Sequence, residues 1–150
     1  MKTMRLSVML TACLLAPQLL GCGGSGSNGP KLGTVRGTIQ VNGSPVAGLT
    51  IYFEPAEGAT SVGATDTTGQ YKLEYPGGRS GAVVGPHVVR IQGRDPQASD
   101  NMLGEIAAEK GTTLEELKKL PVIPSKYNEN SELSANVESG SQELNFDLEI

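Results

Sequence analysis

Thr34-Val35-Arg36-Gly37-Thr38-Ile39-Gln40-Val41-Asn42-Gly43 is the stretch on which the fold turns. Val35, Ile39 and Val41 fall on one phase of a two-residue period, and Arg36, Thr38 and Gln40 fall on the other. That is the pattern of a strand with one buried side. Gly37 lies on the inner phase, where a missing Cβ allows close packing or a bend. Asn42-Gly43 then marks a tight turn, because both residue types accept the positive φ that a short hairpin needs.

The same alternation recurs down the chain. Leu49, Ile51 and Phe53 alternate with Thr50, Tyr52 and Glu54, and Val62 with Ala64 makes a weaker, shorter run. Asp66-Thr67-Thr68-Gly69 reads as a turn, with Asp suited to its first position and Gly to its last. Tyr71, Leu73 and Tyr75 share the next face before Pro76-Gly77-Gly78 breaks the chain. His87 to Gln92 sets Val89 and Ile91 opposite Val88 and Arg90. Leu133, Ala135 and Val137 make a sixth strand, and Leu144, Phe146, Leu148 and Ile150 a seventh. Seven short strands separated by turn signals predict an all-β fold, a seven-stranded antiparallel β-sandwich.

Ser99 to Leu120 departs from this pattern. Met102, Leu103, Ile106 and Ala107 repeat at helical spacing, and Gly111 stops that helix. Thr112 or Thr113 caps a second helix, with Glu115 or Glu116 three residues on as a capping box requires. Leu114, Leu117 and Leu120 mark its apolar stripe, Lys118 and Lys119 suit its last turn, and Pro121 ends it. This two-helix insertion, about 99–120, is either a packed cover for one sheet edge or a functional insert, and the cover is favoured. With its apolar side packed on the sandwich, Glu105, Glu109, Glu115, Glu116, Lys118 and Lys119 face outward as a partner surface. Tyr52, on the outward phase of its strand, is a second candidate for partner contact.

The N-terminus has its own logic. Lys2 and Arg5 precede an apolar stretch from Leu6 to Leu20, which reads as a signal peptide over residues 1–21. That stretch is about 15 residues, short of the roughly 20 needed to span a bilayer. Its ending, Leu19-Leu20-Gly21-Cys22, resembles the bacterial lipobox. The resemblance implies that a diacylglyceryl group is attached to the Cys22 sulfur and that cleavage leaves Cys22 as the first residue. Residues 22–33 then form a Gly/Ser tether, and residues 34–150 form the sandwich. Gly23 rather than Asp follows the cysteine, which by the sorting rule of enterobacterial lipoproteins implies an outer-membrane destination.

Composition narrows the function classes. Loss of Lys2 and Arg5 takes the formal net charge from −4 to about −6. An acidic chain with scattered lysines is a poor match for a nucleic-acid backbone. Cys13 lies in the signal stretch and Cys22 is the lipidation candidate, so a disulfide within the mature domain is excluded. The core must hold the fold unaided.

The order of motifs carries a resemblance over about Thr34 to Ile150. Val35-Arg36-Gly37-Thr38-Ile39, then Asn42-Gly43-Ser44-Pro45-Val46-Ala47-Gly48-Leu49-Thr50-Ile51, then Thr65-Asp66-Thr67-Thr68-Gly69-Gln70-Tyr71-Lys72-Leu73 is similar to a carboxypeptidase regulatory-like domain of transthyretin (prealbumin) type. Gly85-Pro86-His87-Val88-Val89-Arg90-Ile91 resembles a further strand of that family, with His87 where an aromatic is commoner. The C-terminal stretches Ile123-Pro124-Ser125-Lys126-Tyr127-Asn128, Leu133 to Val137 and Leu144 to Leu148 resemble those of small lipoproteins of planctomycete-type bacteria. The resemblance implies a non-catalytic module in which Asp66 and Gly69 shape a hairpin turn and Tyr71 and Leu73 fill the core. It implies no binding residue and no cofactor.

The residue inventory points the same way. A zinc hydrolase needs a cluster of His, Cys and carboxylate ligands, and a serine triad needs a histidine base on a suitable elbow. His87 is the only histidine, and it is read as a strand residue near the sandwich edge. The transthyretin fold also hosts a hydroxyisourate hydrolase, whose site resembles a His/Arg/His set with a C-terminal Tyr-Arg-Gly-Ser; here His87 stands alone and the chain reads Phe146-Asp147-Leu148-Glu149-Ile150 instead. Asp66, Asp95, Asp100 and Asn101 show no calcium-loop spacing. Ile106 to Leu117 has the rhythm of a helix-turn-helix, but Glu115 and Glu116 would meet phosphates. The expected function is a non-catalytic, lipid-anchored envelope protein that binds an envelope protein or glycan or supports the envelope. The alternative is an accessory subunit or hydrolase of transthyretin-like fold in an envelope complex.

Overall fold

The computed structural model describes residues 29–150; the signal stretch, Cys22 and most of the tether lie outside the described residues. β1 (Leu32–Val41) turns through Asn42 and Gly43, both at positive φ, into β2 (Ser44–Pro45). β3 (Thr50–Pro55) and β4 (Ser61–Ala64) make a hairpin. β5 (Gln70–Lys72) and β6 (Glu74–Tyr75) are two halves of one extended run, followed by β7 (Arg79–Ser80), β8 (Ala82–Val83) and β9 (Gly85–Gln92). Then come α1 (Asp100–Lys110), α2 (Leu114–Lys119), a 3-10 turn at Ser125–Tyr127, β10 (Ser134–Val137), β11 (Ser141–Glu143) and β12 (Phe146–Leu148).

Two sheets result. β1 is the spine of the first and pairs with β2, β5, β8, β11 and β12; the second runs β10-β9-β3-β4-β6-β7. Val35, Ile39, Leu49, Ile51, Phe53, Leu73, Val89, Ile91, Val137 and Leu148 are buried between them. The all-β sandwich with a two-helix insertion is therefore the architecture, as the alternation implied.

Three details differ from expectation. The last strand is split, and both halves, β11 and β12, run parallel to β1 rather than antiparallel. The chain leaves the second sheet after β10 and crosses to the first at Gly140, whose carbonyl accepts from Thr34 N–H at 2.7 Å. At the split, Asn145 Oδ1 takes the place of a ladder carbonyl and accepts from Thr38 N–H at 2.7 Å. Second, Val62 and Ala64, whose face the alternation left open, share the outer face; Ser61 and Gly63 point inward. Gly63 must, because a Cβ there would stand 2.7 Å from Lys72 O.

Third, Asp66 and Gly69 bracket a tight turn, but it is not a hairpin turn, since β4 and β5 belong to different sheets. Asp66 Oδ1 accepts from Thr68 N–H at 2.8 Å, the Thr68 hydroxyl at 2.7 Å and Gln70 N–H at 3.0 Å. The hydroxyl bond first, then the two amides, hold this carboxyl below its ordinary range. Gly69 has φ +74°, and a Cβ on it would stand 2.8 Å from Ile39 O. The turn thus seats the inter-sheet crossover against β1. β1 itself starts at Leu32, two residues inside the stretch assigned to the tether.

Candidate functional site

Strand direction gives the sandwich two poles. β1, β4 and β10 fix the sense of the chain, so that Pro30, the 55–60 loop, the 76–78 loop and Val83–Pro86 gather at the pole where β1 begins. The Asn42-Gly43 turn, the Asp66–Gly69 turn and the helical insertion gather at the other. β1 separates the poles by about 33 Å at 3.3 Å per residue.

The helices form as their caps dictate. Ser99 Oγ accepts from Met102 N–H at 3.3 Å, and Gly111 ends α1 in the left-handed conformation at φ 65°. Thr113 caps α2 in a full capping box: Glu116 N–H donates to Thr113 Oγ1 at 3.2 Å, and Thr113 N–H donates to Glu116 Oε2 at 3.1 Å. The Thr112 hydroxyl also donates to that carboxylate, and these bonds keep it below its ordinary range and anionic. Lys118 Nζ bonds Asp100 Oδ2 at 2.8 Å and ties the two helices together; this bond raises the Lys118 pKa.

Leu103, Ala107 and Leu117 are buried but lie outside the cluster that forms the sandwich core. The helices therefore bury their stripes chiefly against each other. They meet the sandwich at discrete points: Lys110 Nζ donates to Thr50 Oγ1 at 3.2 Å, and Leu120 lies against Gly48.

A groove of about 1190 Å³ is left between this helical hairpin and the outer face of β3, β4 and β6. The sheet wall carries Thr50, Val62, Ala64 and Glu74, and the helical wall carries Lys110, Glu116, Leu117, Lys119 and Leu120. The groove extends to Tyr75 and Pro76 near the first pole. Of the residues singled out by sequence, Glu116 and Lys119 line it. Glu115 and Lys118 are exposed on the hairpin away from it, and Tyr52 lies on the outer sheet face, where its hydroxyl bonds Gln92 Oε1 at 3.1 Å. Sequence reasoning missed the sheet wall. Its one available signal was the pairing of outward Thr50 and Tyr52 with Ala64 and Val62, which a face-blind reading of β4 conceals.

His87 is not at an edge. It faces inward from β9, which has β10 on one side and β3 on the other, and it is 3% exposed. Its ring packs on Phe53 at a centroid distance of 5.6 Å. Nδ1 lies 3.0 Å from Gly85 O and must donate to it, which leaves Nε2 as a buried acceptor with no protein partner. Burial depresses the pKa of this imidazole, against a smaller opposing pull from Gly85 O. The unfolded chain then binds the proton first as pH falls below about 6.5, so stability declines on acidification until the folded pKa is reached. The expected slope is at most about 1.4 kcal/mol per pH unit. His87→Phe should keep stability at pH 7.5 within about 1 kcal/mol and remove this dependence, as read by urea denaturation between pH 7.5 and 5.

Among the described residues no group of three His, Cys, Asp or Glu side chains is placed to hold a metal ion, and no helix is long and apolar enough to cross a membrane. The chain matches no protein-family model and no curated protein.

Proposed function

We propose that this chain is a non-catalytic, lipid-anchored envelope protein: a small sandwich of carboxypeptidase regulatory-like type, held to a membrane through Cys22, that engages an envelope protein or glycan through its groove and helical hairpin. The observation that carries the reading is polarity. The tether enters at the pole where β1 starts, while the hairpin stands at the far pole. An anchor on Cys22 presents that hairpin away from the bilayer, where a partner can reach it.

The one imidazole is packed on Phe53 in the core and does not line the groove. The groove's own ionisable groups are surface lysines and glutamates, with Glu116 committed to a helix cap. General acid–base work calls for a group poised near neutral pH within reach of a ligand, and this wall offers binding contacts instead. Outer-membrane placement follows from Gly23 only by the sorting resemblance.

Cys22→Ala should abolish acylation and halt processing after Gly21, so that mature, membrane-partitioning protein disappears from cell fractions. Mature Cys22→Ala protein still partitioning with membranes would overturn the anchor. Purified wild-type protein that hydrolysed peptides, esters or hydroxyisourate, with loss of rate on His87→Ala, would overturn the non-catalytic reading.

A further inference from the structure

The first pole has a composition unlike the rest of the surface. Pro30, Pro55, Ala56, Val83, Val84 and Pro86 surround a depression of about 550 Å³ there, with Tyr75 at its side and Glu57 as its one ionised group. Ala56 and Pro86 are exposed, and the two valines are partly so. Lys31 and Arg79 lie at this end with Glu57, while Asp100, Glu105, Glu109, Glu115 and Glu116 lie on the helices at the other.

The tether ends inside this patch. Arg79 Nη2 donates to Pro30 O at 3.1 Å, and the same guanidinium lies over the Tyr75 ring at 5.5 Å from its centroid. The point where the chain leaves the sandwich is thereby fixed to β7. Between it and Cys22 lie only Gly23 to Gly29. Seven residues reach at most about 25 Å even when fully extended, less than the length of the sandwich itself.

We propose that this pole is a bilayer-seating surface: its proline and valine loops, with Tyr75 and Arg79, rest in the headgroup region of the membrane that Cys22 anchors. The proposal rests on the lipid-anchor reading. The chemistry suits the site. Tyrosine and arginine place an apolar body in the interface and a polar tip in water. Loops of Pro, Val, Ala and Gly present little charge to desolvate, and Glu57 is the one acidic side chain lining the depression. An anionic leaflet repels the Asp66–Gly69 turn and the acidic helices at the opposite pole. Seating gives the anchored domain a defined orientation, with the groove running up the flank from the headgroups to the hairpin.

The chain has no tryptophan, so one introduced indole reports its own surroundings. The acylated mature protein is reconstituted into phosphatidylcholine vesicles with and without brominated acyl chains, carrying Ala56→Trp or Pro86→Trp at the seat, or Met102→Trp on α1. All three positions are exposed, so folding is not at stake. Flotation with plain vesicles reads the anchor, and bromine quenching reads the seat. The expected result is that all variants float, that Ala56→Trp and Pro86→Trp shift to the blue and lose emission to brominated lipid, and that Met102→Trp does neither. Protein that floats with all three indoles equally unquenched, or equally quenched, overturns the seat and spares the anchor. Protein that fails to float overturns the anchor and the seat with it.

Discussion

Gly37→Ala is expected to destabilise the domain by at least about 3 kcal/mol, a change that would lower the melting midpoint by roughly 10 °C or more. Gly37 lies mid-way along β1, where the split C-terminal strand passes. A Cβ on it would fall on the Leu144 carbonyl oxygen, a backbone atom with no rotamer to change. That carbonyl is also held from the other side, because the Tyr71 hydroxyl donates to it at 2.7 Å. Tyr71 is 3% exposed, and burial pushes its phenol well above the ordinary range, so it stays a donor at any ordinary pH. Relief of the clash must therefore displace Leu144, break the Tyr71 bond and disturb the Leu144 N–H bond to Arg36 O at 2.9 Å. Tyr71→Phe, which deletes only the hydroxyl, should cost about 1 kcal/mol. Thermal unfolding of the two variants beside the wild type checks both; a Gly37→Ala variant within about 0.5 kcal/mol of wild type would mean that the strands do not approach as described.

Phe53→Ala should cost about 3–5 kcal/mol. The Phe53 side chain is fully buried at the centre of β3 and meets the rings of His87 at 5.6 Å and Phe146 at 6.3 Å between centroids. It is one of only two phenylalanines in the chain, and the core has no disulfide to hold it if the ring is removed. Against a typical total of 5–15 kcal/mol, that loss leaves the domain near its limit. The neighbouring Tyr52 points outward, so Tyr52→Ala should cost about 1 kcal/mol or less. Urea denaturation of the pair reads the strand's phase directly, and similar losses for both would contradict it.

What the alternation made legible was everything with one clean inner face. β1, β3 and β9 each carry inward apolar residues separated by outward polar ones, and the turns between them are marked by residues that positive φ requires, Asn42, Gly43 and Gly69. The helix caps were equally readable, because Ser99, Gly111 and the Thr113–Glu116 box act within a few residues of chain. The failures share a cause. The face of β4 was not legible because its inner positions hold Ser61 and Gly63, small rather than apolar, while Val62 takes the outer face. Nothing local distinguishes a C-terminal strand laid parallel to β1 from one laid antiparallel, because both bury the same phase. The groove was illegible for the same reason: Thr50, Val62 and Lys110 are brought together by the packing of a hairpin that touches the sandwich at a few points. His87 looked like an edge residue by its polarity, yet its own Nδ1–H is satisfied by Gly85 two residues earlier, which lets the ring enter the core.

The central claim, that Cys22 carries the lipid that fixes this sandwich to a membrane, is tested most directly by the intact mass of the protein extracted from cell membranes. The account predicts a chain that begins at Cys22 and carries a diacylglyceryl group on the Cys22 sulfur. A mass corresponding to an unmodified Cys22, or to a chain that begins at any other residue, would contradict it.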